Sequence, residues 1–225
     1  MADLDAPDLS ALVVAVDGTS GSGKSSTCRA VAGRFGLRYL DTGAMFRAIA
    51  LWMLRNGVDI HDASAVAALA HKPVLVSGTD PEAPTITVDG VDASVDIRSD
   101  EVNAAVSPVS AVPDVRQRLL EEQRRIIGSG GIVVEGRDIA SVVWPDAQVK
   151  VYLSADPAAR AARRALENGG ADVAATEASL LARDKIDSGR AVAPLTMVEG
   201  AVHIDSTHLT LDEVVDLIAG LITQP

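Results

Sequence analysis

The sequence predicts an α/β fold in three layers, a five-stranded parallel sheet with helices on both faces. Two observations carry this expectation. Five short apolar runs, near residues 11–16, 37–40, 132–135, 149–153 and 202–205, are separated by stretches of helical periodicity. Such an order needs crossover connections, and crossovers make strands parallel. The first apolar run is also followed at once by a glycine-rich loop and then a helix, and ligands of such sheets sit at the strands' carboxyl ends.

Ala11-Leu12-Val13-Val14-Ala15-Val16 is apolar without alternation, as a strand buried on both faces must be. After the loop, Cys28, Val31, Ala32 and Phe35 recur at i, i+3, i+4 and i+7, one face of a helix that Gly36 can stop. Leu37-Arg38-Tyr39-Leu40 reads as a second strand ending at Asp41. A helix from about Ala44 to Asn56 carries Met45, Ile49, Trp52 and Met53 on one face, with Gly57 as its stop. Asp62 is placed to cap a short alanine-rich helix ending near His71.

The texture then changes. Val74-Leu75-Val76 and Ile86-Thr87-Val88 alternate weakly, and Asp89-Gly90 signals a type I′ hairpin, so residues 73–98 read as a small β-rich insertion. Helices resume near Asp100 and from Pro113 to Ile127, with proline suited to the first turn and Gly128 to the stop. Ile132–Glu135 and Val149–Leu153 are two more buried strands. Asp156-Pro157 opens a helix that Gly169-Gly170 ends, and a further helix covers about Val173 to Ser188. Val202–Asp205 is the last strand, and Thr210 with Glu213 has the spacing of a capping box for the final helix.

The loop itself, Gly18-Thr19-Ser20-Gly21-Ser22-Gly23-Lys24-Ser25, fits G-x-x-x-x-G-K-[ST]. Glycines let successive backbone N–H groups turn toward a phosphate at the positive end of the following helix. Lys24 can reach the β- and γ-phosphates and the Ser25 hydroxyl can sit on Mg²⁺. The chain is therefore expected to bind a nucleoside triphosphate. The loop alone leaves GTPases, ATPases and small kinases open, but neither D-x-x-G nor N-K-x-D occurs in the chain.

The net charge of −11 argues against a general nucleic-acid binder, because no global positive field gathers phosphate backbones. Anions must be held locally, and arginines stand where that is possible: Arg47 one turn into a helix after the second strand, Arg137 directly after the third. Arg160, Arg163, Arg164, Arg183, Lys185 and Arg190 crowd the two-helix segment. Of these, Arg160 lies four residues before Arg164 and reads as an exposed helix charge. Cys28, the only cysteine, falls on a buried helix face, so no internal disulfide is possible and a reduced, cytoplasmic setting is expected. Residues 1–10 lack the basic and apolar regions of a signal peptide, and no stretch has the apolar length of a membrane span.

With these blocks in order, the chain resembles the bacterial cytidylate kinases, from Val13 to about Thr210. The resemblance rests on Gly18 to Ser26, on Asp41-Thr42-Gly43-Ala44-Met45-Phe46-Arg47, on Glu135-Gly136-Arg137-Asp138, and on Arg183-Asp184-Lys185-Ile186-Asp187-Ser188-Gly189-Arg190 with Ala193-Pro194-Leu195 beyond. Phe46 replaces a tyrosine found in some members, and Glu135 stands where Asp is often found. The resemblance implies a single kinase domain with a core of about residues 11–41, 113–155 and 200–225. A monophosphate-binding part would cover 42–112 and a helical lid 156–192. It implies transfer of the ATP γ-phosphoryl group to CMP or dCMP, with Mg²⁺, by a monomer.

It also implies roles. Gly18, Thr19, Ser20, Gly21, Ser22, Gly23, Lys24, Ser25 and Ser26 would hold ATP, with Ser25 on the metal. Thr42 would join the acceptor contacts. Arg47, Arg137 and Arg190 would hold the acceptor phosphate, and Arg163 and Arg164 would close from the lid onto the ATP phosphates. Ser107, Arg116 and Asp138 would read cytosine, whose amino group needs an acceptor such as Asp138. Arg183 and Asp187 would take the ribose. A phosphate acceptor has a second pKa of about 6 and needs no general base at neutral pH. Two alternatives stay open on the residues: a small kinase with a different acceptor, and a non-catalytic nucleotide sensor using the β-rich insertion.

Overall fold

A computed structural model of the chain describes residues 8–167, 170, 172–189 and 193–223. The first strand, β1 (Val13–Gly18), lies buried along its whole length in the centre of a five-stranded sheet. The sheet is completed by β2 (Arg38–Asp41), β6 (Ile132–Gly136), β7 (Val149–Ser154) and β8 (Val202–Asp205), in the order β2-β6-β1-β7-β8. Every pairing in it is parallel. The register sets Asp41 beside Glu135, Asp17 beside Gly136 and Gly18 beside Leu153. The carboxyl ends of four strands thereby open onto one edge.

Alternation along β1 divides the core into two layers. Val13 and Ala15 face the helices α2 (Thr42–Arg55), α4 (Asp100–Ala111) and α5 (Pro113–Ile127). Val14 and Val16 face α1 (Lys24–Phe35) and α8 (Leu211–Thr223), with Cys28 and Val31 of α1 buried against them. This is the two-faced burial that a non-alternating apolar strand demands. Between α2 and α4 the chain forms the short helix α3 (Ala63–Leu69) and the strands β3 (Leu75–Ser77), β4 (Ile86–Val88) and β5 (Val91–Asp92). These strands make a separate antiparallel sheet. Its hairpin turns at Asp89 and Gly90, with φ of 51° and 80°, the left-handed pair that a type I′ turn requires. A pair of helices, α6 (Pro157–Glu167) and α7 (Val173–Ser188), follows β7.

Local signals set most boundaries. The Asp62 carboxylate accepts from the backbone N–H groups of Ser64 and Ala65. Thr210 and Glu213 exchange the reciprocal bonds of a capping box. Helix α2 starts two residues before the expected Ala44, because Asp41 caps it by accepting from Ala44 N at 2.9 Å. A π-helical turn at Ile139–Val143 carries no periodic signal in the sequence and depends on a tertiary contact: the buried Asp17 carboxylate accepts from Ile139 N and Ala140 N, both at 2.8 Å. Gly169 of the expected Gly169-Gly170 stop lies outside the described residues.

Where β6 begins, Gly130 has a φ of 107°, and a Cβ there would lie 2.4 Å from the Ala11 carbonyl oxygen. Gly130→Ala is expected to lower stability by at least about 2 kcal/mol through backbone strain and collision. The KM values should stay unchanged, since Gly130 lies at the end of the sheet opposite the loop. Urea denaturation beside steady-state assays checks this, and an unchanged midpoint would refute it.

Candidate active site

The strands' carboxyl edge, the glycine loop, α2, α4 and the α6–α7 pair enclose a cavity of about 480 Å³. Blocks far apart in sequence meet there. Ser20, Gly21, Gly23, Lys24, Ser25 and Ser26 line it from the loop, and Thr42 and Arg47 from α2. Ser107 and Arg116 come from α4 and α5, Arg137 and Asp138 from the residues after β6, and Arg163, Arg164, Arg183 and Asp187 from α6 and α7. Gly18, Thr19 and Ser22 support the loop from behind the lining. Arg190 lies outside the described residues.

The loop's carbonyl oxygens are occupied by donors. Lys24 Nζ donates to Gly18 O at 2.9 Å and to Thr19 O at 2.6 Å. Gly18 O also accepts from Arg137 Nη1 at 2.8 Å, and Thr19 O from the Ser22 hydroxyl at 3.0 Å. Gly18 itself has φ 151°, and a Cβ there would stand 1.9 Å from Leu153 O, so no other residue fits where β1 passes β7. Burial, and next the Arg137 charge, push the Lys24 pKa below its ordinary value. Burial, and next Asp41, push Glu135 upward, while the Ser25 and Tyr39 hydroxyls beside it favour its charged form. Burial likewise raises Asp17 to about 6 against the pull of its two backbone donors.

One corner of the cavity differs in character. Arg116 and Asp138 form a buried ion pair, and Arg116 also donates to Ser110 O at 3.2 Å. The Phe46 ring lies 5.3 Å from the Arg116 guanidinium, a cation–π contact. Ser107 is buried beside them. Toward the loop, Arg137 Nε donates to Asp187 at 2.8 Å and Arg47 to Asn103 at 2.5 Å. Burial is the main cause that destabilises the charges of Arg47 and Arg183, and neighbouring guanidinium groups add to it. Arg183 Nε is buried without a partner. Thr42 donates to Glu135 O at 2.7 Å and so holds α2 on β6.

One arginine of α6 is placed differently from expectation, and a second makes contacts that the sequence does not reveal. Arg160 is not an exposed helix charge: it is 3% exposed and its guanidinium donates to Ser20 O and to Asp184. Its acidic partner comes from α7, so nothing along α6 reveals it. Arg163 reaches the cavity wall, but its guanidinium donates to Ser206 and Thr207 after β8. Other residues carry no motif of their own. Arg98 lines the cavity 3.9 Å from Asp41; Asn103 accepts from Arg47 and donates to Arg98 O, and Ser110 accepts from Arg116 through its carbonyl and donates its hydroxyl to Ser107 O. Asp17 had a signal: a carboxylate inside an apolar strand needs partners.

A Mg²⁺ ion fits the oxygen donors at the base of the loop. The Ser25 hydroxyl stands beside the Glu135 carboxylate. Among the described residues no cluster of three or more His, Cys, Asp or Glu could hold a metal alone. Mg²⁺ that keeps most of its shell from phosphate and water asks for no more than this.

A parallel-sheet fold with a glycine loop opening into an arginine-lined cavity defines a P-loop nucleotide kinase. The comparisons narrow the class. The cytidylate kinase family profile matches residues 14–224. A cytidylate kinase of Streptomyces avermitilis is 54% identical over 216 residues, covering 95% of this chain and 94% of the relative. One of Streptomyces griseus is 55% identical over 215 residues, covering 95% and 93%. The chain belongs to the cytidylate kinase family, enzymes that phosphorylate a nucleoside monophosphate. A solved structure of an uncharacterized protein from Eubacterium ventriosum shares the fold, with TM-score 0.53 at 11% identity, covering 94% of this chain and 98% of the other. No helix among the described residues is long and apolar enough to cross a membrane.

Lys24 lines the cavity at a cost to its own charge. A lysine whose pKa is lowered on folding releases its proton more readily in the folded state. The fold then loses stability as pH falls from the ordinary 10.5 toward the lowered value, and below it the whole penalty is present. Removing the lysine leaves no bare carbonyl, since Arg137 and Ser22 still serve Gly18 O and Thr19 O. Lys24→Met is therefore expected to unfold at higher urea than the parent at pH 6 in the absence of nucleotide, with the gap closing toward pH 10. Turnover should fall by at least about a hundredfold, roughly 2.7 kcal/mol. A lower urea midpoint at pH 6 would show that the lysine stabilises the empty protein.

Proposed function

We propose that the loop residues 18–26 hold the ATP phosphates while the Arg116–Asp138 corner reads cytosine of CMP or dCMP, so that the γ-phosphoryl group passes between them. The observation that carries the reading is the meeting of the two motif sets in one cavity, with Lys24 at one wall and the Arg116–Asp138 pair at another. The obstacle in this reaction is electrostatic, a monophosphate dianion approaching a triphosphate. Alignment and positive charge must lower it.

Arg47 and Arg137 supply that charge on the acceptor side, and their planar forks suit phosphate oxygens. Arg190 joins them in this reading. Arg137, which bridges Gly18 O and Asp187, stands between the donor loop and α7 and can follow the phosphoryl group as it moves. Arg183 and Asp187 take the ribose, and Thr42 fixes α2 beneath the acceptor. Arg164 brings charge from the α6–α7 lid, whereas Arg163 in its present contacts supports the loop through Ser206. Lid closure keeps out water that would otherwise take the phosphoryl group. Ser25 holds the Mg²⁺ that neutralises charge on the phosphates.

The acceptor is tested by ADP release with a panel of nucleoside monophosphates and hydroxyl-bearing metabolites. CMP and dCMP should give the highest kcat/KM, and equal rates with purine monophosphates would overturn the reading. Asp138→Asn tests the base-reading corner. A carboxylate accepts from the cytosine amino group and repels the oxygen that uracil has there, whereas an amide can turn its NH₂ to that oxygen. The CMP over UMP ratio of kcat/KM is expected to fall by at least about tenfold, roughly 1.4 kcal/mol. Activity with CMP should fall as well, because Arg116 loses its counterion. A ratio that stays at its parent value would remove Asp138 from base recognition.

A further inference from the structure

We propose that Arg160 and Asp184 are positioning residues for the triphosphate site: a buried ion pair from the two lid helices that clamps one residue of the phosphate loop, Ser20, on both sides. The proposal rests on reading residues 18–26 as the ATP phosphate site.

The geometry is closed on itself. Asp184 Oδ1 accepts from Ser20 N at 3.0 Å, and Asp184 Oδ2 accepts from Arg160 Nη1 at 2.5 Å. The same Arg160 Nη1 donates to Ser20 O at 2.8 Å, and Arg160 Nε donates to Ala155 O at 3.0 Å. Ser20 thus gives both its backbone groups to one ion pair. Arg160 is anchored in turn to the segment that joins β7 to α6. The pair is shielded, with side-chain exposures of 4% and 14%. Directly beyond Ser20, a Cβ on Gly21 would meet Arg160 Cβ at 3.4 Å and Leu180 Cδ1 at 3.5 Å, so the loop rests on the lid helices here.

Fixing Ser20 has a consequence for the phosphate site. No peptide bond in the described chain is cis, and in a trans peptide the C=O of one residue and the N–H of the next point opposite ways. With Ser20 O drawn to Arg160, the Gly21 N–H is turned away from the lid, and Gly21 lines the cavity. Gly21 has φ 76° and no side chain to limit its rotation, so the clamp fixes a peptide that would otherwise be freer to turn. A donor pre-set toward an anion acts without reorganisation when the anion arrives. A shielded Arg–Asp pair also keeps its geometry better than an exposed one would.

The effect should fall on ATP and spare CMP. Arg160→Met, Arg160→Lys, Asp184→Asn and the double variant Arg160→Met/Asp184→Asn are titrated by calorimetry with MgATP and, separately, with CMP. Turnover and urea denaturation run alongside. Arg160→Met is expected to weaken MgATP binding at least about tenfold while CMP affinity stays within about twofold. Arg160→Lys, which can still donate to both acceptors, should recover most of that loss. The double variant should bind MgATP about as weakly as Arg160→Met alone, because the two side chains act as one unit. If Arg160→Met fails to fold, Asp184→Asn carries the test, with a smaller loss of the same selectivity. Equal losses for both ligands, or unchanged MgATP affinity in a folded variant, would overturn the proposal. A parent enzyme that fails to bind MgATP at all would instead refute the reading of the loop.

Discussion

A phosphate loop must offer N–H groups to an anion while keeping its own carbonyl oxygens from facing it bare, and the structure around β1 serves that requirement. The oxygens of Gly18, Thr19, Ser20 and Ser22 each accept from a side chain: Lys24 and Arg137, Lys24 and Ser22, Arg160, and Ser206. Apart from Ser22 of the loop itself, these donors come from α1, from the residue after β6, from α6 and from the segment after β8, and Asp184 of α7 accepts from Ser20 N. The loop therefore has its shape only when the sheet is assembled and both lid helices are docked. Local sequence makes such a loop possible, and tertiary structure makes it rigid.

The same arrangement explains how an acidic chain holds a polyanion. A net charge of −11 repels nucleotides at long range, yet the cavity gathers arginines from α2, α6, α7 and the loops between. Some of these charges are balanced within the protein, Arg137 by Asp187 and Arg116 by Asp138. Arg47 and Arg183 are balanced poorly: burial and neighbouring guanidinium groups weigh against their charged forms. Like charges held together in a low-dielectric site strain the empty protein, and an anionic ligand bound among them would relieve that strain. The affinity that the net charge withholds is thus concentrated at one place.

The sequence made the layer order readable because each strand of the large sheet is an uninterrupted apolar run and its helices end in capping residues with distinct chemistry. Asp62, the Thr210–Glu213 box and the Asp89-Gly90 turn act within a few residues of themselves, so their patterns survive in one dimension. The cavity was readable where blocks carry fixed spacing, as from Gly18 to Ser26. Ser107 and Arg116 were reachable only through resemblance, since alone they look like a helix-end hydroxyl and a helix charge. Arg160 was misread for a physical reason: its partners Ser20 and Asp184 are 140 and 24 residues away, and an arginine four residues from another resembles a solvated face. The π-helical turn was hidden likewise, because Asp17 on another element holds it.

Cys28 adds a consequence of another kind. Its thiol is fully buried in α1, one turn after Lys24, and burial, with Glu135 next, drives its pKa well above the ordinary value. A thiolate forms only when that helix opens, because reaction with an alkylating reagent needs both exposure and ionisation. The chain thus carries a single built-in chemical probe at the root of its nucleotide site. The rate of modification measures how often α1 leaves the sheet, and every ligand that tightens the loop should slow that clock.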